Sequence, residues 1–580
     1  MSLLPAGLSG SSESSYDHLP HYPPIGDAVG RGWESAAATL PTSLRTLAID
    51  GPVVLDWAYT ARAITRLLGG RGSVEVVDLR EAGRPWPEIQ RLTRSPALGD
   101  DPDFETLAGG TVAELLEPHL LPADPPAPGT IRVLLGPGAA AAPGWDVLWW
   151  ADLPKRYAEA DLNAGRGRNL LAPADVPAST RRLFYIDWPL LDRHRDEHAT
   201  RVDLWLDTQD VARPAWLPGP ALRATCAGLA RRPHRTRPTF NSTSWGGQWA
   251  RRELGLNADA PNSALGYELI APESGVLIGA TAQDCVEVPF QLLVALSPED
   301  TLGADVHRRF GTSFPIRFDY LDTVDGGNLS VHCHPQPDYM RDIFGWPYTQ
   351  HETYYLMVGA EQNRVFLGLH EGASVERFHE AARLADTDAI PFDVTEFVQT
   401  FPATPHQLFL IPAGTPHGSG AGNVVLEVSA TPYLYSLRFY DWLRRDGSGR
   451  QRAVHVDHAF RNLDAARSGD AVSEQLIPRP RTTISGAGWH EELIGALPEM
   501  FFEVRRLAIE PAAAAEQDTA GRFQVLTLVQ GQQVVLRTDA GDEHPLSYAE
   551  TIAVPAAVGG YRVICTGSEP ARLVKANVVA

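Results

Sequence analysis

Apolar and polar positions along this chain fall into two textures. From about residue 41 to 235, short apolar runs alternate with helical periodicity. LRTLAID, SVEVVDL, TIRVLLG, DVLWWADLP, RRLFYID and RVDLWLD read as buried strands, with ARAITRLLGG and TVAELLEPHL as helices between them. That alternation predicts an α/β layer on a mostly parallel sheet. LARRPHRTRPTFN, rich in Arg and Pro, reads as a linker. Beyond it, QLLVALS, FPIRFDYL, NLSVHCH, TYYLMVG, NRVFLGL, HQLFLIP and NVVLEVS are strand-like runs separated by turns, and ASVERFHEAARLAD and DVTEFVQTF have helical periodicity. A sheet-rich domain with a helical insert is therefore expected over 236–480. FFEVRRLAIE, FQVLTLVQGQQVVLR, ETIAVPA and YRVICTG predict a small all-β barrel or sandwich over 481–580. The first 40 residues, rich in Ser, Gly and Pro, predict a mobile tail.

At 580 residues the chain needs several cores. Its 71 acidic and 50 basic residues give a net charge of −21, which argues against a nucleic-acid or anionic-membrane partner. Cys226, Cys285, Cys333 and Cys565 are widely spaced and form no CxxC pair, so neither a disulfide framework nor a cysteine-rich zinc site is indicated. No secretory pattern opens the chain, and its most apolar region is broken by Gly, Pro and Asp. A cytoplasmic location is expected.

The candidate chemistry lies in SVHCHPQPDYMRDIFGWPYTQHETYY, which starts at Ser330. In a strand, residues i and i+2 share a face, so His332 and His334 project together while Cys333 turns away. Glu352 follows eighteen residues after His334. A fourth donor is available in QLFLIPAGTPHGSGAG, where a Pro/Gly turn aims His417 back across a barrel. Three imidazoles and a carboxylate suit Zn, Mn or Fe without choosing among them.

WGGQWARRELGL, FPIRFDYLDT, LSVHCHPQ, ETYYLM, IPAGTPHG and LRFYDW occur in the order found in class I mannose-6-phosphate isomerases, which are zinc-dependent cupins. The chain resembles that family over roughly 236–450 and more weakly to 580. The resemblance implies that His334, Glu352 and His417 are metal ligands. His332 stands where the family usually has a glutamine, and HxH…E…H is the ligand set of many other metal cupins. It implies further that Arg438 stabilises charge on a substrate oxygen and that Glu427 performs acid/base work. Two family lysine positions are changed, to Gln350 and Asp319, with Arg317 close to the second. The expected function is metal-dependent, most plausibly zinc-dependent, interconversion of mannose 6-phosphate and fructose 6-phosphate or a related phosphosugar. Other metal-cupin chemistry, such as oxygen-dependent reaction at iron, and a non-catalytic sugar-phosphate sensor are the alternatives. Under the isomerase reading, activity depends on His417 and survives loss of the first 235 residues.

LAIDGP, DLPKRYAEADLNAGRGRNL and RRLFYIDWPLLDRHRD resemble the first turn, lid and a later strand–helix of P-loop nucleoside or uridine kinases. The phosphate-cradling G-x-x-x-x-G-K-[ST] is absent, so a degenerate kinase-like domain without ATP turnover is expected. Lys155, Arg156, Arg166 and Arg168 are candidates for an anion site, weighed against a solvated basic face. The C-terminal barrel carries no HxH, and His490 stands alone.

Overall fold

The computed structural model describes residues 4–5, 15–99, 101–431 and 435–579. In the α/β part, seven strands lie in the order Gly30–Arg31, Ala215–Pro218, Leu204–Asp207, Val147–Asp152, Thr46–Asp50, Thr130–Leu135, Ser73–Asp78. The last five of these pair in parallel, and the first two are antiparallel additions. Continuous apolar runs are what such strands need, because both faces are covered. Leu47, Ile49, Trp149, Leu204 and Leu206 pack on one face with the helix Trp57–Leu68. The alternate residues Ala48, Trp150 and Trp205 enter the large core on the other.

Three segments differ in secondary structure from the sequence reading. RRLFYID is helical: Thr180–Arg182 passes through a π turn, Leu183–Asp187, into Trp188–His198. Ser179 caps it by accepting from the Arg182 N–H, and Leu183, Ile186 and Leu190 recur at helical spacing in the core. QLLVALS likewise forms the helix Phe290–Leu296. Short, wholly apolar runs carry no period that separates strand from helix. DVTEFVQTF becomes a single 3-10 turn, Val394–Glu396, and an edge strand, Val398–Pro402.

The expected tail is ordered from residue 15 onward. Tyr16, Tyr22 and Trp33 are buried, and His21–Tyr22 adds a parallel strand beside Gly275–Thr281. Residues 1–3 and 6–14 of that tail lie outside the described residues. The expected linker is buried too. Arg235 pairs with Glu550 at 2.7 Å, and the His234 N–H bonds the Ala553 carbonyl at 3.0 Å.

Two β-sandwiches follow. In the first, a seven-stranded antiparallel sheet runs Leu4–Pro5, Thr239–Phe240, Leu265–Leu269, Ile316–Asp322, Val424–Ala430, Glu352–Val358, Leu408–Ile411. It faces a five-stranded sheet of Val398–Pro402, Arg364–Leu369, His417–Ser419, Val331–Cys333 and Leu437–Tyr440, with the helix Val375–Asp388 inserted between two of its strands. The second sandwich pairs a six-stranded sheet with a four-stranded one, all built from residues 481–578. It docks on the first through Tyr320, whose hydroxyl donates to the Ala549 carbonyl at 2.7 Å. Among the described residues, no helix is long and apolar enough to cross a membrane.

Candidate functional site

The two sheets of the first sandwich bring His332, His334, Glu352 and His417 to one point. A ligand atom from each lies within 4.8 Å of the others, and all four side chains are buried. Backbone register does this. His332 and His417 are directly opposed on neighbouring antiparallel strands. Glu352 begins a strand of the facing sheet, and its Oε2 lies 2.6 Å from His334 Nε2 and 3.2 Å from His417 Nε2.

Each imidazole is oriented from behind by a backbone carbonyl at its Nδ1: Ser330 at 2.9 Å for His332, Tyr435 at 3.3 Å for His334, and Thr415 at 2.9 Å for His417. A carbonyl only accepts, so each Nδ1 carries the proton and each Nε2 presents a lone pair to the centre. His417 Nε2 is shut off from solvent without a hydrogen bond of its own. Burial, and then the neighbouring His417 and His334, hold His332 well below the usual imidazole range, which keeps it neutral. Burial alone would raise Glu352, but His417 and His334 outweigh it and hold its carboxyl well below the ordinary value. Three buried imidazoles converging on one carboxylate, with His417 Nε2 lacking a hydrogen bond among the described residues, are a donor set that fits a divalent cation.

Beside this group, the inner face of the larger sheet carries a grid of polar side chains. Arg317 and Asp319 alternate on one strand, Glu427 and Ser429 on the next, Glu352 and Tyr354 on the third. Asp319 pairs across to Glu427, and Tyr354 to Glu427 from the other side. Glu427 is therefore on a central strand, and its ion-pair partner is Arg317 rather than Arg438. Its Oε1 also accepts from Ser429 at 2.8 Å and Gln350 at 3.4 Å. Arg317 is 3.4 Å from Asp319 as well. Burial pushes Asp319 up to about 7 against the pull of Arg317, and pushes Glu427 up in the same way, with Asp319 and Glu352 adding to it. One guanidinium shared by two buried carboxylates leaves a proton in the cluster near neutrality.

These groups line a cavity of about 330 Å³, within the range of small-molecule sites (~300–1,000 Å³). Arg438 lines it too, opposite His332 in register. Its Nη1 donates to the Ala453 carbonyl at 3.0 Å, and it makes no ion pair with a carboxylate among the described residues. Of the six residues singled out in the sequence, His332, His334, Glu352, Glu427 and Arg438 line this cavity, and His417 lies buried behind it against His332 and Glu352.

The cavity also has walls that the sequence did not announce. Tyr354 could have been found, since it lies two residues beyond Glu352 and so on the same face. Asp103, Phe104 and Tyr185 could not, because they come from the α/β part. Residues 101–108 cross to the first sandwich and are pinned there. Asp101 lies 2.6 Å from His458, the Tyr435 hydroxyl donates to the Glu105 carbonyl at 2.8 Å, and Thr106 donates to the Ile343 carbonyl at 2.7 Å. Phe104 packs on the His455 ring with centroids 4.6 Å apart, and Tyr185 stacks on Tyr435 at 5.1 Å. The expectation that the first 235 residues stand apart from the chemistry is therefore corrected: they close one side of the pocket.

The four cations considered for an anion site are engaged elsewhere. Arg156 forms a two-pronged pair with Glu287 at 2.6 and 2.7 Å, and Lys155 lies 2.5 Å from Asp192. Arg166 pairs with Asp161 and Arg168 with Glu81. Arg156 is a buried strut from the α/β part to Glu287, and Lys155 is a partly buried pair within the α/β part.

A family model described as a domain of unknown function (DUF8485) matches residues 32–231. A mannose-6-phosphate isomerase of Streptococcus mutans serotype c is 27% identical over 236 residues, which is 40% of this chain and 68% of that protein. The mannose-6-phosphate isomerase ManA of Bacillus subtilis is 22% identical over 258 residues, covering 44% of this chain and 73% of the relative. A probable mannose-6-phosphate isomerase of the same organism, GmuF, is 27% identical over 153 residues, and there the match takes in only 44% of the relative. Among solved structures, the crystal structure of the Bacillus subtilis mannose 6-phosphate isomerase aligns with a TM-score of 0.48 at 18% identity, over 60% of this chain and all of that one. A zinc-bound mannose 6-phosphate isomerase aligns at 0.47 and 16% identity with the same coverage.

Proposed function

We propose that this chain is a metal-dependent aldose–ketose isomerase acting on mannose 6-phosphate and fructose 6-phosphate or a closely related phosphosugar. The observation that carries the reading is one cavity lined both by three residues of a four-donor cluster, His332, His334 and Glu352 with His417 behind them, and by a buried carboxylate–guanidinium cluster. The sequence similarity to mannose-6-phosphate isomerases supports the substrate class.

His332, His334, Glu352 and His417 would hold the metal, zinc by analogy with the resembled family. When bound, the ion would polarise the carbonyl and hydroxyl oxygens at the two reacting carbons. The chain's own groups supply the rest. Glu427, held at Oε1 by Arg317 and Ser429, takes the proton from one carbon and returns it to the other. Arg317 and Asp319 set the charge around it, while Gln350 and Asp319 stand where the resembled family has lysines. Arg438, a cavity cation with no carboxylate partner, neutralises charge on a substrate oxygen as the enediol forms. Phe104, Tyr185 and Tyr354 exclude water from the reacting face.

The test is a coupled assay of the full-length chain with mannose 6-phosphate, together with the metal content of protein purified without added metal. Turnover that vanishes with the metal in His417→Ala is the expected result. Bound iron with oxygen uptake would replace this reading with oxygenase chemistry. Tight phosphosugar binding without any turnover would leave a sensor.

A further inference from the structure

The α/β part holds a second group of metal-ligating side chains that the isomerase reading does not use. In the helix Trp188–His198, His194 and His198 are four residues apart and share a face, and Glu197 lies three beyond His194. One ligand atom from each lies within 4.8 Å of the other two.

The surroundings favour coordination over a plain buried ion pair. Asp50, wholly buried at the end of the strand Thr46–Asp50, accepts from the N–H groups of Gly51 at 2.7 Å, Gly138 at 3.1 Å and Ala140 at 2.7 Å. Three backbone donors fix its position, and it lies 2.7 Å from His194 Nε2. A carboxylate bonded to one imidazole nitrogen sets the ring and directs the other nitrogen at a metal. His194 is thus presented through Nδ1. His198 is 8% exposed, and its Nδ1 is shut off from solvent with no hydrogen-bond partner among the described residues. The two rings sit 4.7 Å apart, edge to face. A cavity of about 350 Å³ opens beside them, lined also by Thr111, Trp145 and Arg201. One wall is the connection 140–145 and the other is the helix end from His194 to Arg201.

We propose that His194, Glu197 and His198 bind a divalent transition metal of the zinc class, with Asp50 as the orienting carboxylate, independently of the centre in the first sandwich. Two imidazoles and one carboxylate leave a coordination position open to the cavity, the pattern of a reactive rather than a purely structural site.

The experiment is a zinc titration of the full-length chain after metal removal, read as bound equivalents by elemental analysis. Two equivalents are expected for the wild type. His198→Asn and Glu197→Gln should each lose about one while isomerase turnover is kept, and His417→Ala should lose the other. Glu197 is exposed, so its substitution reads the site even where His198→Asn unfolds the chain. A metal count that Glu197→Gln leaves unchanged from the wild type would overturn the proposal. An equivalent lost in Glu197→Gln but kept in His417→Ala, in a wild type without isomerase turnover, would sink the isomerase reading alone.

Discussion

The two sandwiches are built alike and filled differently. Each sets a larger antiparallel sheet against a smaller one. In the C-terminal one the interior is Leu507, Leu526, Leu536, Leu546, Val563 and Leu573, all fully buried. In the first, the corresponding interior holds His332, His417, Glu352, Glu427, Arg317 and Asp319, none more than 7% exposed. An unpaired polar group costs about 1–3 kcal/mol on burial, and the second sandwich closes around a mainly apolar interior with a buried ion pair, Lys575 and Glu491. The polar lining of the first is therefore not demanded by the fold, and its arrangement is the strongest sign of chemistry in the molecule.

That contrast can be broken most sharply at His417. Replacing it with Ala should lower isomerase turnover by about 10³-fold or more, since one of four ligands and its buried lone pair are lost. His490→Ala, exposed on the second sandwich, should leave the rate within about twofold. Next comes Glu427→Gln, which keeps the shape but carries no proton: kcat should fall about 10²–10⁴-fold with KM little changed, measured by steady-state kinetics. In the apolar sandwich the same experiment reads out differently. Leu526→Ala should cost about 2–5 kcal/mol in a denaturant melt while leaving kcat per folded molecule intact.

Smaller effects sharpen the picture at the pocket's edges. Asp103 faces Arg438 from the α/β part and opposes an anionic substrate there. Asp103→Asn should lower KM for a phosphosugar by about two- to fivefold, the size of a partly exposed charge interaction. Least of all is a pH effect. Asp319 has its folded value raised to about 7 by burial, against about 3.9 in an unfolded chain. Between these values the folded state keeps a proton that the unfolded chain has released, so this residue's contribution to stability is present below about pH 4 and lost as pH rises to 7. Melting of the metal-free wild type should therefore weaken more from pH 5 to 7.5 than that of Asp319→Asn.

The convergence of His332, His334, Glu352 and His417 was legible because its spacing is local. An i, i+2 pair, a strand begun by Glu352 and a turn before His417 each encode direction within a few residues. The strand runs around them were legible for the same reason, as in Ile316–Asp322 and Val424–Ala430. What stayed hidden depended on partners far along the chain. That Arg317, not Arg438, neutralises Glu427 follows from strand register over 110 residues. RRLFYID and QLLVALS were hidden because an unbroken apolar run fits a strand and a helix equally well. Tyr16, Tyr22 and Trp33 were read as tail since polar and small neighbours outnumber them, yet three large aromatic side chains are enough to anchor a segment.

A pocket whose side is lent by another layer of the chain inherits that layer's motions. Residues 101–108 are held at the rim by side chains of the first sandwich, so a tilt of the α/β layer of even an ångström would widen or narrow the entrance. Whatever ligand that layer takes up would then be felt by the pocket of the first sandwich as a change in its dimensions.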